Sequence, residues 1–287
     1  VASGATLDLA GFDQGIGSLA GAGRVSLGAG TLTAGADNSS TAFSGTITGS
    51  GGLAKAGTGT LTLSGSNSYS GGTALLGGTL AIAADASLGA SAGGLRFDGG
   101  TLVTTASLAM ARPVTLAGDA RLRPASGTSL TLNGSVTGPG GLVQDGEGTT
   151  ILAGRNTYAG ATTVAGGTLQ IDGVLSASEV TVRRGGTLAG SGKIGDPLIE
   201  AGGRLAPGSA AAIGTLSIHG PLTFAAGSFY TVKLTPAAND RTDVTGPVAL
   251  QGGTVQVLAG AGTYTPALRY TLLTATDGVT GRFSALQ

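Results

Sequence analysis

The 287-residue chain has no cysteine and no tryptophan, one methionine, one histidine, and only 10% charged and 4% aromatic residues. Without cysteine there is no disulfide scaffold, no thiolate metal site and no cysteine nucleophile. The few charges balance, 15 basic against 15 acidic, which excludes the basic footprint of a nucleic-acid binder or of a polybasic membrane-surface protein. Ordinary disorder pairs low hydrophobicity with high net charge, whereas 41% of this chain is apolar. Nine prolines without period exclude collagen. No apolar run approaches the roughly 18 residues of a membrane helix. At Val1-Ala2-Ser3-Gly4 there is neither a basic n-region nor a hydrophobic h-region, so a signal peptide is expected to have been removed or to lie outside this sequence.

What the chain does have is glycine, 56 residues of it, nearly three times the ordinary usage of about 7%. Glycine costs about 1 kcal/mol per helix-interior position relative to alanine, and no sustained 3.6-residue apolar stripe opposes that cost. Period-two alternation recurs instead, in Thr60-Leu61-Thr62-Leu63, Thr79-Leu80-Ala81-Ile82 and Thr254-Val255-Gln256-Val257. Short strands entered through tight glycine turns are predicted many times over.

Self-similarity organises these strands. The stretch from Gly52-Leu53 recurs 89 residues later at Gly141-Leu142, without insertion or deletion through Leu80 and Leu169. Asn67, Tyr69, Gly71 and Thr73 match Asn156, Tyr158, Gly160 and Thr162. A shorter beat runs beneath, because Gly-Gly-Thr-Leu occurs at Gly77 to Leu80, Gly99 to Leu102, Gly166 to Leu169 and Gly185 to Leu188, with variants at Gly202 to Leu205 and Gly252 to Val255. The intervals from Thr79 to Thr101, Thr168 to Thr187 and Thr187 to Arg204, of 22, 19 and 17 residues, suit solenoid coils that bury their apolar faces on one another. The predicted fold is therefore all-β, a right-handed parallel β-helix (solenoid) with a C-terminal β cap. Leucines should stack inside it, while Gly-Gly and Asn-x-Tyr-x-Gly segments turn the corners. Six of the eleven aromatics follow Pro221, namely Phe224, Phe229, Tyr230, Tyr264, Tyr270 and Phe283. That bulk is expected to cover the last coil.

The residues from Gly51-Gly52-Leu53-Ala54-Lys55 through Gly65, continuing Asn67-Ser68-Tyr69-Ser70-Gly71-Gly72-Thr73, resemble the passenger-associated repeat of bacterial autotransporters (type V secretion). In the copy from Gly141, Asp145 and Glu147 interrupt the glycine-threonine part and Ala161 replaces the second glycine. Gly202-Gly203-Arg204-Leu205-Ala206-Pro207-Gly208, Asp240-Arg241-Thr242-Asp243-Val244-Thr245-Gly246 and Tyr270-Thr271-Leu272-Leu273-Thr274-Ala275 are similar to the C-terminal region of such passengers. The resemblance implies residues 1–200 as a β-helix stem with repeats near 51–80 and 140–169. It implies 201–287 as C-terminal coils with an autochaperone cap that nucleates folding and drives outer-membrane translocation. It also implies the cell surface of a Gram-negative bacterium, or secretion after cleavage. The implied partner is the passenger's own C-terminal outer-membrane β-barrel, which this segment lacks. Host surface or self-association would follow for an adhesin, with no nucleic acid and no membrane insertion by the segment itself. The stop at Ser284-Ala285-Leu286-Gln287 is read as the approach to the barrel linker, which makes the chain a passenger fragment.

Candidates for chemistry are few. His219 is the only histidine, in Ser217-Ile218-His219-Gly220-Pro221, and a Ser-His-Asp triad would have to pass through it. No Gly-x-Ser-x-Gly elbow on a strand-to-helix turn accompanies it, so a surface or turn histidine is expected. Asp240 and Asp243 form the nearest acidic pair and read as Asx-turn caps. Arg183-Arg184 and Arg121-x-Arg123 read as solvated basic faces. Calcium repeats, EF-hand loops and phosphate-binding Gly-Lys-Ser/Thr sequences are absent. The expected assignment is a non-enzymatic stalk or adhesin with no catalytic residue, cofactor or metal. Two alternatives stand beside it, a stalk for an upstream subtilisin-like protease or esterase, and a carbohydrate-active β-helix enzyme.

Overall fold

A computed structural model describes residues 1–287. The chain is all-β, its strands two to six residues long, with one 3-10 turn at Asp85–Leu88 as the sole helical element. Two compact units are present, Val1–Thr150 with Tyr158–Gly160, and Ile151–Thr157 with Ala161–Gln287. Each is a parallel β-solenoid, as the repeat spacing predicts.

In the first unit, strands Leu32–Ala34, Leu53–Lys55, Thr73–Leu75, Leu95–Phe97 and Val114–Leu116 pair in parallel, one from each successive coil. A second face holds Thr41–Phe43, Thr60–Leu63, Thr79–Ile82, Thr101–Thr104, Ala120–Pro124 and Leu142–Gln144. Alternation turns every second residue inward. Leu61, Leu80, Leu102 and Leu122 are therefore in register on four adjacent coils, and each is at most 2% exposed. The Gly-Gly-Thr-Leu tetrads set this alignment, since Thr79 pairs with Thr101.

The second unit repeats the scheme with Val180–Val182, Pro197–Ile199, Leu222–Phe224, Val248–Gln251 and Val279–Arg282 on one face. Another face holds Gly167–Ile171, Gly186–Gly190, Arg204–Pro207, Phe229–Leu234 and Thr254–Ala259. Its inward stack starts as Leu169, Leu188 and Leu205 and continues as Tyr230 and Val255. Coils lengthen toward the C-terminus. Val180 lies over Pro197, 17 residues on, but Val248 lies over Val279, 31 residues on.

The Asn-x-Tyr-x-Gly segments lie at corners, between strands Thr60–Leu63 and Thr73–Leu75 and between Thr149–Leu152 and Thr162–Val164, with the Asn and Tyr side chains turned inward. Asn67, Tyr69, Asn156 and Tyr158 are all buried. Asn67 Oδ1 accepts from the Ile47 backbone N at 2.8 Å, and its Nδ2 donates to the Ser87 carbonyl at 2.7 Å. One amide thus joins the coil before to the coil after. Asn156 Nδ2 donates to the carbonyls of Gly154 and Val174 at 3.0 and 3.1 Å. Corners leave backbone groups turned away from the strand ladder, and a buried amide carries both the donor and the acceptor that satisfy them.

Candidate functional site

The long coils of the second unit gather its polar and aromatic anchors. Tyr230 reaches inward from Phe229–Leu234 and is 1% exposed. Its ring lies 5.4 Å from Phe224 and stacks 6.0 Å from Phe283, and Phe283 meets Phe224 edge-on at 5.1 Å. Such pairs add about 0.5–1.5 kcal/mol each beyond burial. The Tyr230 hydroxyl donates to the Leu272 carbonyl and shares a hydrogen bond with Thr242 Oγ1 at 3.0 Å. Burial raises its pKa, keeping the hydroxyl protonated as a donor. One side chain therefore ties together residues from three coils.

Asp240 is fully buried rather than capping an exposed Asx turn, which corrects that expectation. Its Oδ1 accepts from the Gly214 N at 2.9 Å and its Oδ2 from the Lys233 N at 2.7 Å. Lys233 Nζ, itself bonded to the Pro207 carbonyl at 3.2 Å, completes an ion pair at 2.8 Å. Asp240 therefore anchors the excursion between Leu234 and Asn239, which form an isolated antiparallel bridge. Tyr270 Oη donates to the Thr235 carbonyl at 2.9 Å, and Tyr264 Oη to that of Leu234 at 3.1 Å, so the later loop is laced onto the earlier one. Asp243 stands nearer the surface, bonded to Arg241 and to Thr274 Oγ1.

The remaining sequence candidates lie elsewhere. His219 is exposed at the end of strand Thr215–Ile218, its backbone N donating to the Ile194 carbonyl at 2.9 Å. Arg183 and Arg184 are exposed. Arg121 and Arg123 are exposed and meet an acidic partner on that face. Both hydrogen-bond Asp145 from the next coil, Arg123 through Nε at 2.8 Å and NH2 at 2.9 Å. Burial alone would raise the Asp145 carboxyl, but the hydrogen bonds from Arg123 and Arg121 outweigh it and hold the carboxyl below its usual range. No three His, Asp or Glu side chains stand together as a metal cage.

Sequence reasoning passed over Arg112 and Lys55. Arg112 is 1% exposed. It donates to Asp85 Oδ1 at 2.7 Å and to the carbonyls of Asp85, Leu88, Gly89, Ala90 and Gly93. The guanidinium thereby organises the whole 85–93 loop. Lys55 is buried with Nζ donating to the carbonyls of Ala56 and Gly57, and burial pushes its ammonium pKa down. Both are basic residues within short strand-like runs, and nothing in such a run marks its long side chain as turned inward.

Stacked parallel coils with two copies of one glycine-threonine repeat define a parallel β-solenoid protein. Residues 53–82 and 142–171 match the Passenger-associated-transport-repeat family. Over 253 residues the chain is 34% identical to the Adhesin BmaC autotransporter of Brucella suis biovar 1 (strain 1330), covering 84% of this chain and 7% of that protein. Over 159 residues it is 40% identical to the Extracellular serine protease of Serratia marcescens, covering 52% of this chain and 15% of that protein. The matches span only these small fractions of the curated relatives. The chain is an autotransporter passenger segment, displayed on the surface of, or secreted by, a Gram-negative bacterium.

Proposed function

We propose that the chain is a non-catalytic stalk or adhesin segment in which residues 201–287 nucleate folding and thereby draw the passenger across the outer membrane. The observation that carries this reading is the concentration of long-range ties around Tyr230 and Asp240, which link coils from Pro207 to Phe283. Outward movement without ATP must be rectified by folding on the far side. A solenoid suits this task because each coil contacts its neighbours, so growth proceeds coil by coil from one nucleus. The C-terminal outer-membrane barrel of the same polypeptide is the partner that this role requires.

Refolding from urea, followed by circular dichroism, tests the reading. The full chain is expected to refold faster and to resist protease better than residues 1–200 alone. Tyr230→Ala in the full chain is expected to slow refolding toward the rate of the shorter piece. Equal rates and equal protease resistance for 1–200 and the whole would overturn the nucleation role.

The Serratia marcescens relative, named as a serine protease, favours one second reading, a stalk beneath a catalytic domain. Caseinolysis by the complete secreted protein that survives His219→Ala supports that arrangement. Activity lost with His219 would put catalysis within this chain instead.

A further inference from the structure

An open trough of about 480 Å³ crosses the outer face of the first unit, at the entry to strands Thr79–Ile82, Thr101–Thr104 and Ala120–Pro124. It lies within the volume range of small-ligand sites, roughly 300–1,000 Å³. Thr79, Thr101 and Arg121 form one row across three coils, and Asp119 precedes the third strand. The floor is bare because Gly78 and Gly100 adopt φ of +61° and +80°, where a side chain would strain the turn.

We propose that this trough binds a neutral polyhydroxylated chain, an oligosaccharide, through Asp119, Arg121, Thr79 and Thr101.

Three features select that chemistry. Donor and acceptor stand on the same trough. Asp119 uses Oδ1 to accept from the Gly141 N at 2.8 Å, which leaves Oδ2 for a ligand hydroxyl. Arg121 uses NH1 on Asp145, which leaves its other guanidinium N–H groups to donate. The threonine hydroxyls serve either way. Charge comes next, because Arg121 and Arg123 are matched by Asp119 and Asp145 at this place. An anionic ligand meets Asp119 and a cationic one meets Arg121, whereas hydroxyls are served by both. Finally, the backbone here is already spent. The N–H groups of Thr79, Thr101 and Arg121 donate to the carbonyls of Gly59, Gly78 and Gly100 in the coil before. A peptide strand seeking a free ladder is not offered one.

The inference concerns the first unit alone and does not depend on nucleation by 201–287. Calorimetric titration of the full chain with maltohexaose, cellohexaose and chitohexaose, and with a heparin hexasaccharide as the anionic control, tests it. At least one neutral hexasaccharide is expected to bind, and the heparin fragment is not. Asp119→Asn and Arg121→Gln are each expected to weaken binding by roughly tenfold, the loss of one charged hydrogen bond. Thr101→Trp, which fills the trough from the middle of the row, is expected to abolish it. Refolding rates should be unchanged in the Asp119 and Arg121 variants, which separates this outcome from any failure of the nucleation role. No binding of a neutral hexasaccharide at millimolar concentration, binding of the heparin fragment alone, or affinity indifferent to both polar variants would overturn the proposal.

Discussion

Thr104 carries a hydroxyl with no hydrogen-bond partner, fully buried between Ile82 and Pro124 on the adjacent coils. An unmet buried hydroxyl costs about 1–3 kcal/mol, and valine keeps the shape without the oxygen. Thr104→Val is expected to raise stability by about 1 kcal/mol, read as a higher urea midpoint with an unchanged slope. Tyr69 is the opposite case, its hydroxyl 2.5 Å from Thr73 Oγ1. Burial raises its pKa to about 12 from the ordinary 10.0, against the smaller lowering effects of the Thr73 bond and Arg112. A raised folded pKa favours the protonated native state. The contribution is fully present below pH 10 and lost as pH climbs from 10 to 12, on the order of 3 kcal/mol at 1.36 kcal/mol per unit. Urea titrations at stepped alkaline pH should show wild type losing more stability over that interval than Tyr69→Phe. The alternation Thr101-Leu102-Val103-Thr104 made the inward direction of Thr104 legible in the sequence. Its lack of a partner was not, because that depends on which side chains two other coils bring beside it.

Lys55 and Gln144 hold equivalent places in the two repeat copies, and the fold uses them alike. Gln144 Nε2 donates to the carbonyls of Gly146 and Gly148 at 3.0 and 3.4 Å, and Thr150 Oγ1 donates to Gln144 Oε1 at 2.6 Å. Lys55 donates to Ala56 and Gly57 in the corresponding loop. A long inward donor thus satisfies the glycine turn from inside the coil. Lys55→Gln is expected to cost less than about 1 kcal/mol, whereas Lys55→Leu leaves those carbonyls unpaired and costs about 1–3 kcal/mol. The pH dependence has a definite sign. The folded pKa of Lys55 lies below the usual 10.5, so the unfolded chain holds more protons in that interval. Wild type should therefore gain stability relative to Lys55→Gln as pH rises toward 10.5. A flat difference across that range would contradict the buried ammonium. Corners follow a parallel rule: the side chains of Asp13, Asn38, Ser40 and Ser107 each accept a backbone N–H from the following coil. The repeat showed where the turns fall, but the partners of their polar groups lie about 20 residues away and needed the coil lengths.

At the level of the entire chain, anchors and exposure are unevenly spread. Tyr230, Val232, Asp240 and Thr242 are at most 1% exposed, whereas Val279 and Leu286 in the last strands are 49% and 73% exposed. Hydrogen exchange is expected to be slowest in Phe229–Leu234 and Arg241–Val244 and fast in Val279–Arg282 and Ala285–Leu286. Uniform protection along residues 201–287 would remove the physical basis for a nucleus there. Composition, alternation and the 89-residue recurrence were enough to specify parallel coils and their tetrad register. Those properties rest on periodicity, and periodicity is written locally. The inward amides, the Arg112 loop, the Asp240 anchor and the trough at Asp119 emerged only from the folded chain. Each joins residues brought together by stacking, and a shift of one residue in coil length would have placed different side chains face to face.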